Sequence, residues 1–330
     1  MSKQVLASHE FCESELESPQ VLSVAGGHAA LFSRRCPGKS SVNEDAAAVF
    51  AVSDSTGVLV VADGAGGMQS GNAASSQAVK SMAERLLNLP DSSNLRAAVL
   101  DAIESANDRI CAMGANAATT FAALEIQSDT VRPYHVGDSM ILLCGQRGRL
   151  RWQSIAHSPV GYAVEAGVID EADAMSHPDR HYVSNLVGCP EMRIEMGPQL
   201  KMSVRDTLLI CSDGLSDNLS TDEIVSIIRC GDLAMSVQQL VDLATQRMKQ
   251  GIGDGSIPSK PDDLTIVAFR RAQKPGRRAR QKKTVMPDNP VSRVETPDSE
   301  SESGFEQSQI SGDVVATPSE FRPSATESAE

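Results

Sequence analysis

The most constraining feature of this 330-residue chain is a short apolar run that ends in an acidic residue followed by glycines. The segment VLVVADGAGG covers residues 58–67, and its β-branched residues, in a run too short for a typical helix, predict a buried strand. Asp63 then lies at the strand end, where Gly64, Gly66 and Gly67 allow other atoms to approach the backbone closely. For this segment alone, two interpretations stay open: a carboxylate that binds a hard cation, or an ordinary Asp-Gly turn.

The same arrangement recurs at four other predicted strand ends, which favours the cation site. The acidic residues at these points are Glu44 and Asp45 in SVNEDAAAVF, Asp138 in HVGDS, Asp213 in TLLICSDG, and Asp262 and Asp263 in PDDLTIVAF. Converging carboxylates repel one another unless cations neutralise them. Oxygen ligands with no nearby Cys or His pair favour Mg²⁺ or Mn²⁺.

The ordered set NED, VADGAGG, HVGDS, SDGLSD and PDDLTIV resembles the metal-dependent Ser/Thr protein phosphatases of the 2C type (PPM family), in a bacterial-like form. The resemblance covers roughly Gly26 to Arg271, and five motifs in order are far more specific than any one. It implies an α+β fold: a four-layer α-β-β-α sandwich, with two antiparallel sheets flanked by helices. The order of strand-like and helix-like runs independently predicts two packed sheets with helices outside. Apolar stripes predict helices over residues 70–89 and 95–113, and Ser220 with Glu223 fits a capping box that opens a helix through Ile228.

The resemblance also implies a set of metal ligands. By this resemblance Asp63 bridges two ions of Mn²⁺ or Mg²⁺, and Asp213 and Asp262 are the other catalytic carboxylates. The second ion is served by the Gly64 carbonyl, with a carboxylate of the NED motif acting through water. A third, weaker site, matched by Asp138, Asp213 and Asp217, is implied as well. The full implied ligand set is Glu44, Asp45, Asp63, Gly64, Asp138, Asp213, Asp217 and Asp262.

The activity implied by the resemblance is hydrolysis of phosphoserine and phosphothreonine in proteins. Two cations about 3.5–4 Å apart can activate the attacking water and neutralise phosphoryl charge. The implied substrate is a phosphorylated protein, the product of a Ser/Thr kinase, acted on by a monomer. The alternative is a catalytically inactive phosphatase-fold scaffold or binding module. The complete carboxylate set favours the enzyme, since a degenerate scaffold is expected to have lost some of it.

Three positions depart from the family pattern. Ser40 occupies the position where family members usually carry an Arg that binds the substrate phosphate. Lys39, the nearest cation, Arg34 and Arg35 are the candidate replacements. An ordinary solvated basic loop remains the other interpretation of this stretch. Asp263 stands where Asn is usual, and Ala65 stands where some relatives place a His that protonates the leaving oxygen.

Composition excludes several other classes of protein. The net charge of −13 argues against nucleic acid as the main partner, because phosphate backbones require a basic surface. The seven cysteines form no CxxC pair, which indicates reduced residues in a cytoplasmic protein. No apolar run has the length of a membrane span, and the N-terminus lacks the pattern of a signal peptide, so no membrane association is expected.

The chain is predicted to comprise three regions. Residues 1–20 are polar and acidic and are expected to be disordered, and residues 21–271 are expected to form the phosphatase domain. Residues 272–330 form a basic and then acidic tail whose composition does not support a packed core. This tail is either a solvated linker or a regulatory docking segment.

Residues 157–198 carry few regular signals and correspond to a mobile flap beside the active site in the family. Within this segment His177 and His181 are four residues apart. They could chelate a metal on a helix, but Pro178 makes a structural or substrate-contact role the favoured interpretation.

Overall fold

The computed structural model describes residues 6–65, 70–89, 94–114, 116–250 and 259–272. Gly66, Gly67 and the tail from residue 273 onward lie outside the described residues, and so do the predictions made for them. Among the described residues, no helix combines the length and apolar character that a membrane span requires.

The described residues form thirteen strands and seven helices, which follow one another in groups along the chain. In chain order, the strands are β1 (Ala7–Cys12), β2 (Gln20–Val24), β3 (Gly27–Arg34), β4 (Asp45–Ser53), β5 (Thr56–Asp63), β6 (Phe121–Gln127), β7 (Thr130–Val136), β8 (Met140–Cys144), β9 (Leu150–Gln153), β10 (Glu195–Met196), β11 (Leu200–Lys201), β12 (Thr207–Cys211) and β13 (Leu264–Arg271). The helices are α1 (Gly71–Leu87), α2 (Leu95–Met113), α3 (Pro159–Glu165), α4 (Glu171–Ser176), α5 (Asp213–Ser216), α6 (Thr221–Ile228) and α7 (Leu233–Gln250).

These strands form two antiparallel sheets. The first has the order β1-β4-β5-β6-β7-β10, with β11 also paired to β7, and the second has the order β2-β3-β13-β12-β8-β9. One apolar core lies between the two sheets, and each outer face packs against helices, α1 and α2 on the first sheet and α6 and α7 on the second. The predicted four-layer α-β-β-α sandwich is confirmed.

Strand β4 shows why two layers can pack on one sheet. Its residues alternate between cores: Ala46 and Ala48 face the α1–α2 layer, whereas Ala47 and Val49 face the second sheet. Alternation with period two is the property of a strand, and here both faces are apolar because both are covered. The strand therefore reads as a continuous apolar run in the sequence.

The structure differs from the expectation of disorder at the N-terminus. Residues 7–12 form β1, which pairs with β4 from Ala7 opposite Ala51 to Cys12 opposite Ala46. Phe11 packs against the core between the sheets. The polar sequence is tolerated because β1 is an edge strand with one exposed face, and its pairing protects the otherwise open edge of β4.

The helix predictions hold where amphipathic periodicity is strong. Helix α2 has the predicted bounds of residues 95–113, and α6 opens with the predicted capping box between Ser220 and Glu223. In the segment 157–198, expected to be irregular, the structure contains two short helices, α3 and α4, and the short strand β10. His177 follows the end of α4, so the two histidines do not share a helix face.

Candidate metal centre

Strand pairing brings the predicted carboxylates to one end of the two sheets. Asp45, the first residue of β4, pairs directly with Asp63, the last residue of β5. In the second sheet, β12 ends where β13 begins, because Cys211 pairs with Ile266. Asp213 and Asp262 flank that point. Pairing within each sheet, together with packing of the two sheets, therefore gathers residues that are up to about 220 positions apart in sequence.

Glycines let the loops that carry these carboxylates approach closely. A Cβ on Gly64 would lie 2.5 Å from the carbonyl oxygen of Gly71 and 2.7 Å from that of Glu44. A Cβ on Gly214 would lie 2.0 Å from the carbonyl oxygen of Asp263. The Asp-Gly pairs are therefore required by packing at both sheets, because a side chain at either glycine would push the neighbouring loop away.

Backbone hydrogen bonds fix the position of Asp63. Its amide donates to Thr120 Oγ1 (3.0 Å), and its carbonyl accepts from Thr119 Oγ1 (2.8 Å). The Thr120 hydroxyl also bonds to the hydroxyl of Ser139, the neighbour of Asp138 (2.7 Å). These hydroxyl groups tie Asp63 and the Asp138 turn together, although the sequence analysis did not single them out.

The electrostatics of the cluster are those of crowded, buried carboxylates. Burial, followed by the charges of Asp45 and Asp213, raises the pKa of Asp63 well above its ordinary value. Burial and the neighbouring carboxylates Asp213 and Asp217 raise the pKa of Asp138 to about 7. The pKa of Asp217 and of Asp262 is raised by burial and by Asp213, to about 6 in each case. Such a cluster binds cations strongly, because each added positive charge relieves mutual repulsion.

One buried atom indicates directly that the cluster fits a cation. Among the described residues, Asp213 Oδ1 is buried and has no hydrogen-bond partner. A buried acceptor without a donor is costly, and hard divalent cations prefer carboxylate oxygens as ligands. The donor set around Asp213 therefore fits Mg²⁺ or Mn²⁺.

The two acidic residues of the NED motif lie in different surroundings. Asp45 is 1% exposed and accepts a hydrogen bond from Ser212 Oγ (2.8 Å), and burial followed by the charge of Asp263 raises its pKa. Glu44 is partly exposed, and its Oε1 lies beside Gly71. Of the two, Glu44 is the one whose carboxylate borders the close approach between Gly64 and Gly71.

The candidate phosphate-binding cations are both engaged with acidic side chains. Lys39 Nζ lies 2.6 Å from Glu44 Oε2 and 2.7 Å from Asp263 Oδ2. Asp263 also accepts from the backbone amides of Cys36 and Glu44, both at 2.7 Å. Arg35 pairs with Glu15 (3.2 Å) on the surface. Asp263 thus binds Lys39 and the backbone of the loop that carries the NED motif.

Two further cations near the cluster were missed by sequence reasoning. Lys260 Nζ contacts Asp213, Asp217 (3.0 Å) and Asp262 (3.3 Å). Arg180, in the segment after α4, lines the same cavity as Asp213 and Asp217, and among the described residues its Nε is buried without a partner. Lys260 belongs to no motif, and Arg180 lies in a stretch, HPDRHYVSNLVG (residues 177–188), that resembles bacterial family members but had no role assigned to its arginine.

A cavity of about 480 Å³ opens beside the cluster. Asp138, Asp213 and Asp217 form one wall, whereas Val164 of α3 and Met175 of α4 supply apolar surface. The predicted flap thus covers a space with a charged end and an apolar side. Once cations neutralise the carboxylates, such a space can hold an anionic group and an adjoining side chain at once.

His135, His157 and Glu195 form a second cluster of potential ligands within the described residues. The His157 Nδ1 atom accepts hydrogen bonds from the Gly137 amide (3.1 Å) and from Asn185 Nδ2 (2.9 Å), so the proton lies on Nε2, which bonds to Glu195 (3.0 Å). A metal at Nε2 would require an imidazolate. The network instead ties the turn before Asp138 to the flap.

Comparisons with known proteins identify the family and the fold. Residues 34–250 match the family model described as Protein phosphatase 2C. A putative protein phosphatase 2C-type of Streptococcus pyogenes is 31% identical over 218 residues, which are 63% of this chain and 88% of that protein.

Two solved structures are similar in fold and sequence. The serine/threonine phosphatase of S. agalactiae has a TM-score of 0.64 and 26% identity, covering 74% of this chain and 99% of that one. The catalytic domain of serine/threonine protein phosphatase PstP, in complex with two manganese ions, has a TM-score of 0.57 and 25% identity, covering 73% and 96%.

Proposed function

This chain belongs to the protein phosphatase 2C family and is a metal-dependent protein serine/threonine phosphatase that uses Mn²⁺ or Mg²⁺, and we propose that its strand-end carboxylates hold the ions. The observation that carries this assignment is the convergence of Asp63, Asp213 and Asp262 at one end of both sheets, with Asp213 Oδ1 buried and unpartnered among the described residues.

The proposed ligands divide between two sites. Asp63, Asp213 and Asp262 would hold one ion, and Asp63, the Gly64 carbonyl and Glu44 would hold the other. Asp45 supports this arrangement from the interior, since Ser212 Oγ holds its carboxylate (2.8 Å) beside Asp63. When bound, the ions lower the pKa of water and neutralise charge on the phosphoryl group.

The remaining chemistry depends on side chains of this chain. Hydrolysis forms a bond from water oxygen to phosphorus and breaks the bond from phosphorus to the serine or threonine oxygen, which must then gain a proton. Ala65 has no group that can donate this proton, so we propose that water supplies it. Arg180 lines the cavity beside the cluster and is the residue that we propose to orient the phosphate oxygens.

The substrate is a phosphorylated protein, and we propose that it is the product of a Ser/Thr kinase. The cavity supports this proposal, because its acidic end adjoins apolar surface from α3 and α4 that can hold a residue next to the phosphorylated one. We further propose a cytoplasmic monomer. All seven cysteines are free, and every proposed ligand comes from one chain.

The test is phosphate release from matched peptides by the full-length protein. We expect release from phosphoserine and phosphothreonine peptides in MnCl₂, little release from the phosphotyrosine peptide, and none in EDTA. A folded protein that releases no phosphate from any of them in Mn²⁺ would favour the inactive scaffold instead.

A further inference from the structure

Lys260 contacts the acidic cluster, although no motif predicts a cation at this position. Its Nζ lies 3.0 Å from Asp217 Oδ2 and 3.3 Å from Asp262 Oδ2, and it also contacts Asp213 Oδ2. The side chain is only 21% exposed. Three carboxylate oxygens, one from each aspartate, therefore surround one ammonium group, which has three N–H donors to offer.

The backbone of Lys260 is fixed to the turn that carries two of these aspartates. Its amide donates to Asn218 Oδ1 (2.9 Å), and its carbonyl accepts from Asn218 Nδ2 (2.8 Å). Asn218 is fully buried and also donates to the carbonyl of Gly214 (2.9 Å). The lysine is thus attached to the segment of Asp213 and Asp217 and is held in place beside it.

An ammonium in this position competes with a metal ion for the same oxygen atoms. Divalent Mg²⁺ lies about 2.0–2.1 Å from its oxygen ligands, so an ion bound by these three oxygens would overlap Nζ. A tethered group also has a high effective concentration at its site. Asp213 keeps Oδ1 unpartnered among the described residues, and this oxygen remains available to an ion on its other side.

We propose that Lys260 is a built-in cation that binds Asp213 and Asp217 and so takes the place of the third metal ion implied at Asp138, Asp213 and Asp217. The protein then saturates with two divalent ions. The inference rests on the proposed function, because it assumes that the neighbouring carboxylates bind the other two ions. Lys260 is a positioning residue: its fixed charge holds Asp213 and Asp217 without an exchangeable ligand.

The test counts bound ions instead of measuring activity. Full-length wild-type protein and Lys260→Met are titrated with MnCl₂, and free Mn²⁺ is measured by its EPR signal. Methionine keeps the length and the apolar stem but removes the ammonium. Lys201→Met is the matched control, since it makes the same change in charge at a side chain that is 81% exposed.

We expect two ions at saturation for the wild type and for Lys201→Met, and three for Lys260→Met. The inference is overturned if folded Lys260→Met binds no more Mn²⁺ ions than the wild type does. It is also overturned if the wild type already binds three Mn²⁺ ions. The proposed function is judged separately, by Mn²⁺-dependent phosphate release from the wild type. The number of bound Mn²⁺ ions therefore tests the role of Lys260, whereas phosphate release tests the proposed function.

Discussion

The cations around the carboxylate cluster differ in what they contact. Lys39 lies between Glu44 and Asp263, at 2.6 and 2.7 Å, and the attraction of these two carboxylates outweighs the effect of burial and raises its pKa. Arg180 instead lines the cavity, with Nε buried and unpartnered among the described residues. A planar guanidinium can bind two phosphate oxygens at once. We therefore expect the substrate phosphate to contact Arg180 in preference to Lys39.

Replacing Arg180 tests this division of roles. We expect Arg180→Ala to lower kcat/KM for a phosphothreonine peptide about 10–100-fold, which corresponds to roughly 1.5–3 kcal/mol for charged hydrogen bonds. Lys39→Ala should act mainly on stability, because it leaves Glu44 and Asp263 without their shared cation. Steady-state kinetics and urea denaturation of each variant measure the two effects.

Arg35→Ala is the control, because Arg35 pairs with Glu15 on the surface and should change neither quantity by much. The assignment is wrong if Lys39→Ala loses more kcat/KM than Arg180→Ala while its unfolding free energy is unchanged.

The carboxylates could be predicted from sequence, whereas the cations around them could not. Each acidic residue adjoins an apolar run, so its strand end was visible in the chain. Lys260 follows a loop of Gly, Ser and Pro, and its direction is set by Asn218, which lies 42 positions earlier. Hydrogen bonds between distant loops leave no periodic signal in the sequence.

At the scale of elements, the cluster depends on close contact between α5 and the chain entering β13. A Cβ on Gly214 would lie 2.0 Å from the carbonyl oxygen of Asp263 and 3.0 Å from its carbonyl carbon. Both atoms are backbone, so neither can move without displacing Asp262. Metal affinity should therefore depend on the absence of a side chain at Gly214.

We expect Gly214→Ala to lower the unfolding free energy by about 1–3 kcal/mol, the usual cost of overpacking. Its affinity for Mn²⁺ should fall as well, because Asp213 and Asp262 separate. Gly145→Ala is the matched control, since the nearest atom to its Cβ is 3.6 Å away. Urea denaturation and Mn²⁺ titration measure both effects, and equal behaviour of the two variants would refute the packing argument.

His135 links strand β7 to the loop that leads into the flap. Its ring stacks on His157, with centroids 4.5 Å apart, and Nε2 bonds to the carbonyl of Ile155 (3.0 Å). Burial, followed by the charge of His157, lowers the pKa of His135, whereas the Ile155 carbonyl and Glu195 oppose this shift. The folded protein therefore holds this imidazole in its neutral form.

This network predicts a pH-dependent contribution to stability. Below about pH 6.5 the unfolded chain protonates this histidine and the folded protein does not, so the unfolding free energy falls as pH decreases. We expect the stability difference between the wild type and His135→Gln to narrow between pH 7.5 and 5.5. Urea denaturation at each pH measures it, and a constant difference would show that His135 does not titrate in this way.

Element prediction succeeded where periodicity was strong and failed at the sheet edge. Helix α2 has regularly spaced apolar residues, and the bounds of this helix were predicted correctly. Strand β1 is half exposed and polar, so its sequence looks disordered, although pairing with β4 makes it a strand. The pairing partner lies more than 30 residues away, and no local pattern reports it.

At the scale of the whole molecule, the four-layer sandwich brings both sheets together at the end that carries the carboxylate cluster. The last described strand, β13, pairs with both β3 and β12 and so completes the second sheet. We propose that the domain ends at this strand, with residues 272–330 as a separate tail.

Truncation after Arg271 tests this boundary. The truncated protein should stay folded and should hydrolyse p-nitrophenyl phosphate with Mn²⁺ at a near-normal rate, because the described ligands and cores all precede the cut. Circular dichroism and steady-state kinetics measure the outcome. Loss of folding or of turnover would place the tail within the domain.

The central claim is that carboxylates at the ends of the two sheets hold the ions that the phosphatase requires. The most direct test is hydrolysis of a phosphothreonine peptide across a range of Mn²⁺ concentrations by Asp63→Asn. Asp54→Asn, which makes the same change at an exposed turn, is its control. We expect turnover at saturating Mn²⁺ to fall about a thousandfold in Asp63→Asn, since several kcal/mol of metal-dependent stabilisation is lost, and to be unchanged in Asp54→Asn. Wild-type turnover by folded Asp63→Asn at saturating Mn²⁺ would contradict the claim.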